Sequence, residues 1–225
     1  DVSDVFDFLK FTYRRPDYRL LLVSPHSSRP ALLDMIEQEI ANAREGYHAE
    51  MVLKCNNLVD RQLVMKLYEA SDAGVKVRLN VRGLCSLKPG VKGISETIEA
   101  SRSVDRYLEH PRTYVFHNRG NPKYFIGSAD LMTRNIDYRV EVICPIFDRD
   151  AQDLIQDVLD QQWNDNVKAR VLDAKQSNQK VKLRKKEARL RSQETIHRYL
   201  STGKLPRYPK STMREGPKRR RKRSS

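Results

Sequence analysis

The apolar residues of this chain fall into short blocks separated by polar, turn-forming stretches. Arg19 to Ser24 (Arg-Leu-Leu-Leu-Val-Ser) is a compact apolar run closed by Pro25, the pattern of a strand covered on both faces. A helix is predicted next. Ser28 is placed to cap it, Pro30 suits its first turn, and Leu32, Leu33, Ile36 and Ile40 keep one face apolar until Gly46. Ala49 to Leu53 reads as a second strand, Asp60 as the cap of a helix carrying Leu63, Val64, Leu67 and Tyr68, and Val75 to Val81 as a third strand beyond Gly74. Strand, helix, strand, helix, strand in this order predicts a parallel α/β unit with right-handed crossovers.

The pattern then loosens. Arg82 to Gly93 contains Pro89, Gly90 and Gly93 and reads as a loop, followed by a short helix around Ser95 to His110. Thr113 to Phe116, Tyr124 to Ser128 and Arg139 to Ile146 read as three more strands. A helix from about Asp150 to Trp163 is expected to lay Leu154, Ile155, Val158 and Leu159 against the sheet. The expected fold is therefore α/β, with a mixed, largely parallel sheet flanked by helices. Residues 1–18 read as the end of a preceding domain or a linker, 19–172 as the main folded domain, 173–203 as a basic helical extension with its helix from roughly Val181 to Leu200, and 204–225 as a disordered basic tail.

Charge sharpens this division. The chain carries a formal +14, but residues 167–225 hold 21 Lys and Arg against four acids, a net +17, which leaves residues 1–166 at −3. A basic tail on a mildly acidic body points to a polyanion as partner. No run approaches the ~20 apolar residues of a membrane-spanning helix, and the acidic start lacks the basic residues of a signal peptide, so a cytoplasmic protein is expected. The absence of an initial Met suggests an excised fragment. Cys55, Cys85 and Cys144 are widely separated, with no CxxC pair or His at ligand spacing, so neither a disulfide framework nor a metal site is expected.

Residues able to do chemistry gather at element junctions. Arg82 follows a predicted buried strand and precedes Gly83, a position from which a guanidinium can present paired N–H donors to phosphate oxygens; a surface salt bridge is the plain alternative. His110, in Glu109-His110-Pro111-Arg112, is able to donate to phosphate or move a proton, or merely to complement a helix dipole. Gly127 to Asn135 is a loop of small, hydrogen-bonding residues in which Ser128, Arg134 and Asn135 suit an anion, although a well-satisfied turn has the same composition. Lys54, Asn56 and Arg139 sit at further junctions. If the strands are neighbours, Lys54, Asn56, Arg82, Ser128, Arg134, Asn135 and Arg139 converge near His110 on one edge, a plausible polyphosphate or nucleotide site.

Taken in order, Leu21 to Pro25, Lys54 to Asp60 (Lys-Cys-Asn-Asn-Leu-Val-Asp), Ala70 to Val77, Val81 to Gly90, Arg106 to Arg112 (Arg-Tyr-Leu-Glu-His-Pro-Arg) and Gly127 to Val142 resemble the carboxy-terminal half of the histidine-phosphorylating polyphosphate kinases. The likeness runs to about Arg207. It implies a phospholipase D-like domain, the second of two in tandem, with Arg82 and His110 contacting ATP. It also implies reversible transfer of the ATP γ-phosphate to polyphosphate, with ATP and Mg²⁺ as cofactors, through a phosphohistidine carried upstream of this chain. A homo-oligomer is implied as well, and the fragment alone is expected to be inactive. Ser86, Lys88 and Asp105 depart from the usual pattern, Asp105 most awkwardly, because an acid near a phosphate path is repulsive. Two other readings remain: a polyanion or nucleic-acid binding module working through the basic tail, and a phosphodiesterase, which the absence of an H-x-K pair at His110 disfavours.

Overall fold

The computed structural model describes residues 1–183 and 187–213. After α1 (Val2–Lys10) come β1 (Leu22–Ser24), α2 (Ser28–Arg44), β2 (Glu50–Cys55), α3 (Arg61–Asp72), β3 (Lys76–Val81), β4 (Ile98–Arg102), β5 (Arg112–Phe116), β6 (Lys123–Gly127), β7 (Glu141–Ile146), α4 (Arg149–Trp163), β8 (Arg170–Leu172) and α5 (Ser192–Thr202). Among the described residues eight strands form one sheet in the order β1-β7-β6-β5-β2-β3-β4-β8.

The sheet is mixed and flanked by helices, as the apolar blocks suggest, but it is not largely parallel. Only β2–β3 and β3–β4 pair in parallel, and the other five pairings are antiparallel. β1 accounts for one of the five. It joins the edge beside β7, Leu22 opposite Ile143, so the crossover through α2 passes over three intervening strands before reaching β2. Periodicity fixes an element's type; it does not name its neighbour.

Asp60 caps α3 as expected, accepting from the Leu63 amide, and α3 stops before Gly74, whose φ of +85° favours glycine. α2 starts where expected, yet its cap position is Ser27, one residue before Ser28. The helix expected around Ser95 to His110 is absent. Ile98 to Arg102 instead forms β4, whose Ile98 and Ala100 face the core on alternate positions while Glu99 is exposed. β8 then extends the sheet beyond β4, with Ser101 opposite Val171.

The main core lies between the sheet and α2 and α3, built from Leu32, Ile36, Ile40, Met51, Leu53, Leu63, Leu67, Val77, Leu79 and Tyr114. The opposite face is thinner. There Val52, Val115, Tyr124, Leu159 and Met213 form a second cluster. The stripe expected on α4 is only half present, because Leu154 is 41% exposed and much of the buried face is Gln152, Gln156, Asp157, Asp160, Gln161 and Gln162. These groups bond to one another and to the sheet: Gln156 donates to Asp160 at 2.7 Å and accepts from the Tyr124 hydroxyl at 3.0 Å.

The carboxy-terminal region also departs from expectation. Only Ser192–Thr202 of the extension is helical among the described residues. Residues 204–213, expected to be disordered, lie on the second face. Asn164 donates to the Pro209 carbonyl, the Ser211 amide to Asp160, and the Thr212 hydroxyl to Glu50, while Met213 is fully buried. Residues 214–225, including the basic run from Lys218 to Arg223, lie outside the described residues. No helix among the described residues is long and apolar enough to cross a membrane.

Candidate active site

Alternating strand directions bring the carboxyl ends of β2, β3 and β6 and the amino ends of β5 and β7 to one edge of the sheet. A cleft of about 610 Å³ opens there. Its lining includes Asn56 beyond β2, Arg82 beyond β3, His110 before β5, Ser128 beyond β6, and Arg134, Asn135 and Arg139 ahead of β7. Seven of the eight residues expected from sequence therefore meet in one hollow.

Two glycines permit the close approach. A Cβ on Gly83 would stand 2.6 Å from Asn57 Oδ1 and 2.8 Å from the Asn56 carbonyl oxygen; on Gly127 it would stand 2.6 Å from the Val142 carbonyl oxygen. Either addition forces backbone apart at the rim.

Arg134 and Asn135 belong to a single wide helical turn, Arg134–Tyr138, of the kind that recurs at functional sites. Arg29 of α2 holds that turn in place. It grips Asp137 through Nε and Nη2, both at 2.7 Å, and Asp60 through Nη1 at 2.9 Å and Nη2 at 2.7 Å. Burial alone would raise the Asp60 carboxyl, but the bonds from Arg29, Thr133 and the Leu63 amide hold it down at about 2. The capping carboxylate of α3 is thus also the anchor of the cleft wall.

Lys54 is the exception. It is buried outside the lining, its Nζ 2.9 Å from Glu109 Oε2, where the Gln162 amide also donates at 2.7 Å. Neighbouring strand positions face opposite ways, and Lys54 shares the second face with Val52 while Leu53 and Cys55 enter the main core. Ser128 and Asn135 reach the cleft but are engaged by Glu141, to which the Ser128 hydroxyl donates and the Asn135 amide donates at 2.6 Å. By contrast, the guanidinium groups of Arg82, Arg134 and Arg139 have no side-chain partner among the described residues.

Sequence reasoning did not select Asn57, Arg112, Asp130 or Glu141, all of which line the cleft. Asp130 is its hub. It accepts from the Asn56 and Asn57 amides at 2.7 and 3.1 Å and from Arg112 through Nε at 3.2 Å and Nη2 at 3.0 Å. Burial would push its carboxyl up; the Arg112 bond and the two amides outweigh that and lower it. Asp105, the awkward departure, does not line the cleft. Arg191 grips both its oxygens, at 2.7 and 2.6 Å, and Lys168 stands 3.6 Å away, so its charge is spent on the carboxy-terminal extension.

With His110 neutral, the titratable lining carries four arginines and two carboxylates, a formal +2 within a body that is otherwise net negative. The model of the family "Polyphosphate kinase C-terminal domain 2" matches residues 21–193. This chain belongs to the polyphosphate kinase family. It is 48% identical to a polyphosphate kinase of Vibrio cholerae over 200 residues, 89% of this chain and 28% of that one. It is 46% identical to a polyphosphate kinase of Escherichia coli K12 over 206 residues, 92% of this chain and 30% of that one. The crystal structure of polyphosphate kinase from Porphyromonas gingivalis superposes with a TM-score of 0.86 at 39% identity, covering 90% of this chain and 31% of that one. The chain thus spans less than a third of the length of the relatives it matches. NUC from Salmonella typhimurium, a phospholipase D family member, shares the fold over 68% of this chain, with a TM-score of 0.50 at 14% identity.

Proposed function

We propose that this domain grips the phosphate chain of ATP or polyphosphate within a polyphosphate kinase that moves the ATP γ-phosphate reversibly to polyphosphate through a phosphohistidine borne upstream. One observation supports the reading above the others: Arg82, Arg134 and Arg139 converge on one hollow, none of them with a side-chain partner among the described residues. Guanidinium groups left unpaired at a shared cleft repel one another, and the arrangement is favourable when a polyanion lies between them. The lining is polar throughout, with the His110 imidazole as its one ring, so it suits the oxygens of a phosphate chain.

The Mg²⁺ that the resemblance implies is assigned to no residue of this chain. Asp130 and Glu141 are engaged by their own donors, and the described residues contain no cluster of three acids, histidines or cysteines able to hold a metal. The charge that develops on a transferring phosphoryl group is met here by arginines. The phosphodiesterase reading loses further ground, because Arg112, standing where that chemistry wants a lysine, is tied to Asp130.

The test is Arg82→Ala in the full-length enzyme. Labelled ATP should no longer yield polyphosphate, while the thermal transition stays in place. Near-normal synthesis would remove Arg82 from the site and with it the reading.

A further inference from the structure

Arg112, at the first position of β5, makes contacts that settle the state of His110. Its side chain is 8% exposed, and Nη1 lies 2.8 Å from the His110 carbonyl oxygen and 2.6 Å from His110 Nδ1. Nε and Nη2 are held by the two oxygens of Asp130. A guanidinium has only donors and does not deprotonate in proteins, so the ring nitrogen facing Nη1 has to be the acceptor. The imidazole proton then resides on Nε2. A doubly protonated ring would set an N–H against an N–H across 2.6 Å, which the fixed fork of Arg112 does not allow.

We propose that Asp130 and Arg112 are positioning residues that lock His110 as the neutral Nε2–H tautomer, so that it offers a phosphate oxygen a hydrogen-bond donor and does not serve as a base. The geometry makes a chain of three side chains: Asp130, fixed by the Asn56 and Asn57 amides, orients Arg112, and Arg112 orients the ring. The carboxylate offsets the guanidinium, so the chain adds no net charge behind the ring. Each link comes from a different strand end, those of β2, β6 and β5, so the ring's orientation depends on the same rim that places Arg82. The phosphate ligand in this inference rests on the function proposed above; the tautomer does not.

The experiment uses the chain with its five histidines ¹⁵N-labelled, read by long-range ¹H–¹⁵N correlation at neutral pH and assigned with His110→Gln. The expected pattern for His110 is an unprotonated Nδ1 and a protonated Nε2. An Nδ1–H tautomer, or a doubly protonated ring, overturns the lock, and this needs no variant at the positioning residues. Arg112→Lys keeps the charge but loses the fork, and should mix the tautomers and weaken tripolyphosphate binding about tenfold, the loss of one charge-assisted bond. Unchanged tautomer and affinity in that variant overturn the role of Arg112. If the unmodified chain shows the lock but tripolyphosphate does not move the Nε2 signal, the phosphate reading fails while the lock stands.

Discussion

Lys54 Nζ lies 2.9 Å from Glu109 Oε2, the two side chains 7% and 15% exposed, and Glu109 immediately precedes His110. The lysine that reads from sequence as a phosphate ligand is instead the counter-ion of the segment bearing the site histidine. Gln193 of α5 holds the other oxygen of Glu109 at 3.1 Å, so the carboxy-terminal extension is stitched to the same segment. Lys54→Met leaves a largely buried carboxylate without a cation, which should cost about 3 kcal/mol in urea unfolding. Lys54→Met combined with Glu109→Gln should recover most of that loss. A lysine acting as a phosphate ligand gives the opposite result, weaker tripolyphosphate binding with stability unchanged.

What the sequence disclosed and what it concealed divide along a physical line. β2, α3 and β3 were legible because each is a local pattern: an apolar run, a capping Asp60 with apolar residues at helical spacing, and Gly74 as a stop. The seven cleft residues were legible because junctions at strand ends converge whatever the strand order. Arg112 and Asp130 were not, because their meaning lies in a pairing across 18 residues. The only local hint was Asp130 within the small-residue loop and Arg112 two positions past His110. The buried face of α4 was hidden for a related reason: Gln156 and Asp160 look like solvent residues until their partners are known. The segment around Pro209 looked unable to order because its anchors, Asn164, Asp160 and Glu50, belong to remote elements.

The unpaired arginines of the cleft give a pair of effects with opposite signs. Arg134→Ala or Arg139→Ala removes a cation that makes no side-chain bond among the described residues, so stability should hold or rise slightly as mutual repulsion falls. Tripolyphosphate binding should weaken by about 1.5–3 kcal/mol for each lost charge-assisted bond, roughly ten- to a hundredfold, and should become less sensitive to salt. Isothermal titration at two ionic strengths, beside thermal unfolding, checks both. A variant that loses stability and binding together would show that the arginine is structural.

Met213 should behave as a core residue although it lies ten positions beyond Gly203, the glycine with φ +69° that ends α5. It is fully buried with Val52, Val115, Tyr124 and Leu159. Met213→Ala should therefore destabilise the chain by about 2–5 kcal/mol. Ending the chain after Arg207 should cost at least as much, since it also removes the Thr212 bond to Glu50 and the Ser211 amide bond to Asp160. Denaturant unfolding measures both, and a truncated chain as stable as the parent would show that this segment rests on the surface without contributing.

Glu39 offers a pH signature that can be isolated. It is 1% exposed, Oε1 accepts from the Asn118 amide at 2.6 Å, and Oε2 has no hydrogen-bond partner among the described residues. Burial pushes its carboxyl up to about 7, more than the Asn118 and Glu50 amides and the nearby His48 pull it down. Between its ordinary 4.5 and about 7 the folded chain keeps a proton that the unfolded chain has released, so this group's contribution is full below 4.5 and lost as pH rises through 7. Glu50 lies beyond that window. Burial would raise it, but His48, Arg78, Thr212 and Lys76 hold it at about 2, and its contribution is lost only as pH falls from 4.5 through 2. Glu39→Gln cannot ionise, so it should lose less stability than the parent between about pH 5 and pH 8, by on the order of 2–3 kcal/mol. His48 and His117 are present in both proteins, so the difference between their urea midpoints reports Glu39 together with its coupling to His48; identical pH slopes would mean that Glu39 is ionised throughout.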